Sequence, residues 1–270
     1  MARILVIGAH PDDCDCFAGG TALLWRQRGD AVRFVSMTSG DSGHYKQTPS
    51  DLAARRREEA ARAGSIADVD YQVLAHHDGQ LEPTLEVRYE VIRLIRTCAP
   101  DLVLTHRPND YHPDHRYTSI VVQDAAYMVT VPMVCPETTH LAQNPIFGYL
   151  SDDFARPCPF RPDVIVDVEA VMETKWKMLD AHVSQFYEWL PYNEGVLASV
   201  PDEKNQRLDW LRGQWTPRFE GIAKKHHDRI CDFYGDARAW KIRLAEAFEV
   251  SEYGKQPTES ELRALFPIDV

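Results

Sequence analysis

Residues 3 to 9, RILVIGA, form an apolar run of strand length that breaks at a polar turn, and residues 17 to 29 carry a helical pattern that stops at Gly29. The same unit then recurs. AVRFVSMTS (31 to 39) reads as the next strand and LAARRREEAARAGSIA as a helix with a polar face, followed by YQVL as a short strand. In EVRYEVIRLIRTCAP, Val87, Val91, Ile92, Leu94 and Ile95 share roughly one helical face and the helix stops before Pro100, after which DLVLTH is a fourth strand. Strands that alternate with helices must pair in parallel, because each crossover helix packs back across the sheet. PIFGYL and DVIVDV add later strands, and AVMETKWKMLDAHVSQFYEWL predicts one long helix. From about residue 190 the pattern turns Trp-rich and charged, with helices predicted over 203 to 231 and 236 to 247.

The fold class expected is therefore α/β, a Rossmann-like, mostly parallel sheet with helices on both faces plus a mainly helical C-terminal extension. The expected division is a main domain over residues 1 to 190 and an extension over 191 to 270 packed on it. At 270 residues, with 44% hydrophobic and 26% charged residues, the chain can bury one large core. Its net charge of -11 argues against nucleic acid or an anionic membrane as a partner. The apolar start is too short for a signal segment and no run reaches the ~20 residues of a spanning helix, so a cytoplasmic location is expected. Six scattered cysteines without a CxxC pair are expected to be reduced thiols.

Two polar clusters follow strands. GAHPDDCDCFAGG (8 to 20) follows the first and HRPNDYHPDHR (106 to 116) follows the fourth, which puts both beyond the carboxyl ends of parallel strands, the edge where open α/β sheets place ligands. His10 and Asp13 are near neighbours on the first turn and His115 is a distant third group. Two nitrogens and one oxygen leave a coordination position open, the pattern of a catalytic rather than a structural zinc. Ferrous iron suits the same donors. An HPD turn can also be no more than a helix start, with proline in the first turn and aspartate accepting backbone N–H groups. The two clusters at equivalent strand ends favour the metal.

These motifs resemble the zinc-dependent N-deacetylases of the LmbE-like, PIG-L family: AHPDD with Gly19 and Gly20, HPDH at 112 to 115, and HVSQ at 182 to 185. The resemblance covers about residues 1 to 188. It implies that His10, Asp13 and His115 hold the zinc, that Asp12 is the general base, that His112 faces the developing oxyanion and that Asp114 orients His112. The activity implied is removal of an acetyl group from an N-acetylated amino sugar or a conjugate of one, a small-molecule substrate, in an enzyme expected to be a homo-oligomer. Cys14 stands where many members have glutamate, and the chain after 190 carries none of the family's motifs.

Other residues are candidates for the substrate pocket. Asp41 and His44 in SGDSGHY follow the second strand on the same edge, although such a string is ordinarily a loop. Arg56 in RRREEA sits where the family tends to carry a pocket arginine, against the reading of a solvated helix face. Asp78 in AHHDG could bond a sugar hydroxyl or cap its turn. His182 could support the site or simply pack. Cys14 and Cys16 are expected to be small buried side chains and not metal ligands. The Trp and Tyr residues from 186 to 215 could form a sugar-stacking wall or core. Two other readings stay open: an amidase acting on another amide such as a thiol conjugate, and a nucleotide-binding module without metal. The latter lacks a G-x-G-x-x-G or P-loop phosphate cradle. A two-metal phosphoesterase would need a second ligand set that the sequence does not offer.

Overall fold

The computed structural model describes residues 1 to 268. Five strands, β1 (Arg3–Gly8), β2 (Ala31–Thr38), β3 (Asp70–His76), β4 (Leu102–Thr105) and β5 (Ile146–Leu150), alternate with helices α1 (Asp13–Gln27), α2 (Pro49–Ala67), α3 (Leu85–Cys98) and α4 (Pro113–Met128). Then follow β6 (Val164–Asp167), α5 (Met172–Ala181), α6 (Leu190–Asn193), α7 (Lys204–Lys225), α8 (His227–Tyr234), α9 (Asp236–Ala239), β7 (Ala245–Gly254) and α10 (Glu259–Leu265). The seven strands form one sheet in the order β3-β2-β1-β4-β5-β7-β6. β1 pairs in parallel with β2 on one side and β4 on the other, so the strand order reverses between β1 and β4 and opens a crevice at their carboxyl ends.

The alternation of side chains along β1 builds both layers. Ile4 and Val6 point into a core shared with α1 and α5, which contains Trp25, Phe34, Trp176 and Phe186. Leu5 and Ile7 point into the opposite core with Val91, Ile92, Ile95 and Val121 of α3 and α4. Strands buried on both faces read as continuous apolar runs, which is why the early strands are plain in the sequence. Gly20 packs α1 onto the chain after β6: a Cβ there would lie 2.7 Å from Val168 Cγ1.

The C-terminal segment differs from expectation. β7 lies inside the sheet, antiparallel to both β5 and β6, so the chain beyond 190 supplies an internal strand as well as helices. Residues 245 to 247, expected at the end of a helix, are its first residues. Glu246 on β7 is buried and accepts from the backbone N–H groups of Gly20 and Thr21 (both 2.8 Å), the Thr21 hydroxyl (2.6 Å) and Lys175 Nζ (2.5 Å). A buried ion pair survives only with its lone pairs and protons satisfied, and this one joins α1, α5 and β7. The predicted long helix over 170 to 190 is also interrupted: α5 ends at Ala181 and residues Ser184–Trp189 wind as a π-helix. Among the described residues no helix is long and apolar enough to cross a membrane.

Candidate active site

The two turns that follow β1 and β4 meet in the crevice. His10 Nδ1 lies 3.2 Å from His115 Nε2, and Asp13 Oδ2 lies 3.5 Å from each of those nitrogens. Each ring nitrogen is the one left with a lone pair. His10 Nε2 faces the carboxylates of Asp78 (3.2 Å) and Asp114 (3.3 Å), and His115 Nδ1 faces Asp110 Oδ2 at 3.1 Å, so the protons sit on the outer nitrogens. With the protons on the outer nitrogens, two imidazole lone pairs and Asp13 Oδ2, which the Ala9 and His10 N–H groups hold in place, converge on one point. A cation there would replace the proton that the cluster otherwise shares. Four ligands about 2.05 Å from a tetrahedral zinc stand about 3.3 Å apart, which matches these three separations. The three residues named from the sequence therefore fit a metal ion.

Asp13 is anchored by N–H groups of Ala9 (2.9 Å) and His10 (2.7 Å), with His106 Nε2 at 3.1 Å. Burial pushes its carboxyl up, but His115, His106 and His10 outweigh that and hold it well below the usual range. Burial disfavours charge on His10, yet hydrogen bonds to Asp114, Asp13 and Asp78 prevail and raise its pKa well above the ordinary value. The cluster attracts positive charge. His106, which the sequence reading missed, stacks on His115 with ring centroids 3.9 Å apart and planes 11° apart. Imidazole lone pairs lie in the ring plane, so two parallel stacked rings cannot both aim at one ion. His106 supports Asp13 and is poorly placed to join His115 as a ligand.

Asp12 occupies the N-cap position of α1 but makes no side-chain cap bond, against the reading of this turn as a mere helix start. Its Oδ1 accepts from Arg56 Nη2 at 2.8 Å. Burial raises the Asp12 pKa, a shift that Arg56 only partly offsets. His112 caps α4, with Nδ1 accepting from the Asp114 N–H at 3.2 Å. That bond places the proton of a neutral His112 on Nε2. Burial, with repulsion from His10 and His115, lowers its pKa. The Asp114 carboxylate is not on His112, as the resemblance implied. It accepts from Gly79 N (2.7 Å) and Leu81 N (3.3 Å) and faces His10, because the turn after β3 passes directly over the start of α4.

The expected substrate residues divide. Asp78 and Arg56 line the cavity, which has a volume of about 470 Å³. Asp78 bears on His10, and Arg56, only 2% exposed, holds Asp12 and the Gly40 carbonyl instead of facing solvent. Asp41 and His44 do not line it. Asp41 receives His77 Nδ1 (2.6 Å) and the Asp78 N–H (2.8 Å), fixing the 77 to 79 turn. His44 Nε2 bonds Glu188 at 2.9 Å. Cys14 is buried with its thiol toward the Val6 and Val35 carbonyls, and burial pushes both Cys14 and Cys16 well above the usual thiol range, so neither supplies a thiolate.

HVSQ supports the site from behind. His182 Nε2 meets Asp15 Oδ2 at 3.0 Å, both fully buried. Ser184 binds the buried Glu59 of α2 through its hydroxyl (2.6 Å) and N–H (3.0 Å). Glu188 takes both Arg55 Nη atoms at 2.7 Å. These bonds seat the π-helix, and Gln185 and Trp189 thereby become cavity wall. Phe186 and Tyr187 turn into the core, whereas Trp189 and Trp215 face the cavity.

Residues 5 to 126 match the family model for PIG-L, GlcNAc-PI de-N-acetylase. The chain is 31% identical over 209 residues to the diacetylchitobiose deacetylase of Thermococcus kodakarensis, covering 71% of this chain and 75% of that protein. It is 29% identical to a probable N-acetyl-alpha-D-glucosaminyl L-malate deacetylase 2 of Bacillus anthracis, covering 73% and 90%. Among solved structures, the N,N'-diacetylchitobiose deacetylase of Pyrococcus horikoshii superposes with a TM-score of 0.72 at 24% identity, covering 93% and 84%. The 4-carboxy-2-hydroxymuconate hydratase of Pseudomonas putida KT2440 superposes at 0.74 with 19% identity, covering 96% and 99%.

Proposed function

The chain belongs to the PIG-L family, and from that premise we propose that it is a zinc-dependent hydrolase that removes the acetyl group from an N-acetylated amino sugar or a conjugate of one. The observation that carries this reading is the triangle of His10 Nδ1, Asp13 Oδ2 and His115 Nε2, with sides of 3.2, 3.5 and 3.5 Å, in one cavity with Asp12 and His112. A divalent cation held by those three residues would supply Lewis acidity to the acetyl carbonyl and acidify the attacking water.

The protein's own groups do the rest. Asp12, its carboxyl raised by burial and oriented by Arg56, accepts the proton of water as its oxygen attacks the carbonyl carbon. It then passes that proton to the leaving nitrogen, so the C–N bond breaks to the neutral amine and acetic acid, which gives up its own proton to solvent as acetate. His112 Nε2–H donates to the oxyanion, a contact worth about 3 kcal/mol in comparable hydrolases. Its bond from the Asp114 N–H lets it donate while neutral.

A fold does not choose a reaction, and the hydratase shares this one. The sequence relatives whose names state deacetylation favour amide hydrolysis. Carboxylates of Asp12 and Asp13 at the start of α1 disfavour a phosphate there, against the nucleotide-binding reading. The test is release of free amine and acetate by the purified, zinc-loaded protein from N-acetylglucosamine, diacetylchitobiose and N-acetylglucosaminyl conjugates. Equimolar amine and acetate from at least one supports the reading. No release from any, with water added instead to 4-carboxy-2-hydroxymuconate, overturns it.

A further inference from the structure

Two arginines line the cavity, and they differ in one respect. Arg56 is committed to Asp12. Arg218, on α7, forms no ion pair and accepts no carboxylate partner among the described residues. Acid is not scarce: the chain has 41 Asp and Glu against 30 Lys and Arg. Of the carboxylates that line both the cavity and the recess beside Arg218, Asp152 lies 2.9 Å from Arg107 and the exposed Asp153 3.6 Å from Lys225, and neither pairs with Arg218.

Arg218 is nonetheless held in place. Its guanidinium carbon lies 4.7 Å from the Phe17 ring centroid and 5.8 Å from that of Trp215. Contact with two rings limits the freedom of a long side chain, and the guanidinium keeps N–H donors arranged as a planar fork with no carboxylate on them. That fork matches the paired oxygens of a carboxylate or phosphate. Arg218 also borders an adjoining recess of about 240 Å³ lined by Lys225 and His226 and by Asp152 and Asp153, the last two paired with Arg107 and Lys225, so Arg218 is the cation there without a carboxylate partner among the described residues.

We propose that Arg218 is the specificity-determining residue of an anion subsite, and that the part of the substrate remote from the acetamide carries a carboxylate or phosphate. This rests on the deacetylase reading for the identity of the acetamide and not for the subsite itself. It also assigns a role to α7: the chain beyond residue 190 supplies the substrate-selecting wall of a site whose metal ligands come from the first 115 residues.

The test compares three probes of one sugar: methyl N-acetylglucosaminide, carboxymethyl N-acetylglucosaminide and N-acetylglucosamine 1-phosphate. In the zinc-loaded enzyme an anionic probe is expected to exceed the methyl glycoside in kcat/KM by about 10-fold or more, the scale of one charge-assisted contact. The carboxymethyl and phosphate arms separate the two anions. In Arg218→Gln the ratio of anionic to neutral falls toward one, chiefly through KM, and Arg218→Lys keeps part of it. A wild-type enzyme without preference, or a preference that survives in Arg218→Gln at equal metal content, overturns the proposal. Calorimetric binding of the same probes reads the subsite without turnover. If no probe is deacetylated but the wild type binds an anionic one more tightly and Arg218→Gln loses that difference, the deacetylase reading fails and the subsite stands. Equal binding of all three probes to the wild type overturns the subsite.

Discussion

Arg56 Nη2 donates to Asp12 Oδ1 at 2.8 Å, and the arginine is a buried part of the cavity wall. The bond holds one carboxylate oxygen in place and opposes the effect of burial on its charge. Arg56→Met removes that opposition. The Asp12 pKa then rises further, so the acid-side inflection of kcat/KM moves to higher pH and turnover at neutral pH falls by about 10-fold or more. Metal content stays at the wild-type level, which metal analysis beside a pH profile checks.

Asp110 orients His115 through the 3.1 Å contact to Nδ1. Outer partners of this kind keep the ligand nitrogen's lone pair aimed and its basicity raised. Asp110→Asn is expected to weaken zinc binding by about 10- to 100-fold, measured by competition with a chromophoric chelator. Unchanged affinity would remove Asp110 from the account.

Gly8 closes β1 against the start of α1. A Cβ at this position would lie 2.7 Å from Asp13 Cβ and 3.3 Å from the Cys14 sulfur. Neither can move without shifting the turn that carries His10 and Asp13. Gly8→Ala should lower stability by about 1 to 3 kcal/mol in denaturant unfolding and reduce zinc per subunit.

The strands β1, β2, β4 and β5 and the turns that carry the three metal-ligand candidates were legible because each rests on a local pattern, an apolar, largely buried run followed by a polar turn at its carboxyl end; β3, a half-exposed edge strand, showed only a short core. β7 was not legible. AEAFEVSEYG contains helix formers, and its Glu246 is buried against Lys175, so the alternation that marks a strand is masked by an ion pair visible only in three dimensions. The polar run of α2 looked solvated for the same reason, since Arg56 and Glu59 are buried by partners far along the chain, Asp12 and Ser184. His106 lies at the end of β4 on the edge that placed its neighbours, and that position was the available signal. Asp110 stands five residues before His115, a weaker one. The resemblance puts Asp114 on His112; its backbone N–H does bond that ring, but its carboxylate meets His10, because the turn after β3 lies between, which no local pattern shows.

Glu188 ties the π-helix to α2 and to the loop at 44. Burial pushes its carboxyl up, but Arg55 and His44 prevail and its pKa lies below the ordinary 4.5. A lowered folded-state pKa contributes stability above the unfolded value and loses it as pH falls through the folded one. Wild type should therefore melt above Glu188→Gln near pH 7, with the gap narrowing as pH falls below about 4.5. Parallel thermal melts across that range check it, and a gap independent of pH would contradict it.

Asp12 and Asp13 are adjacent and chemically identical, and the proposed reaction gives them different work: Asp13 would hold the metal with His10 and His115, and Asp12 would move the proton. Zinc per subunit measured together with turnover, in Asp12→Asn and Asp13→Asn, tests this division most directly. Asp12→Asn is expected to keep its zinc and lose about 100-fold or more in kcat with a smaller change in KM, while Asp13→Asn loses zinc and activity together. An Asp12→Asn protein that is empty of metal beside an Asp13→Asn protein that is loaded but inactive, or near-full turnover in Asp12→Asn, would contradict it.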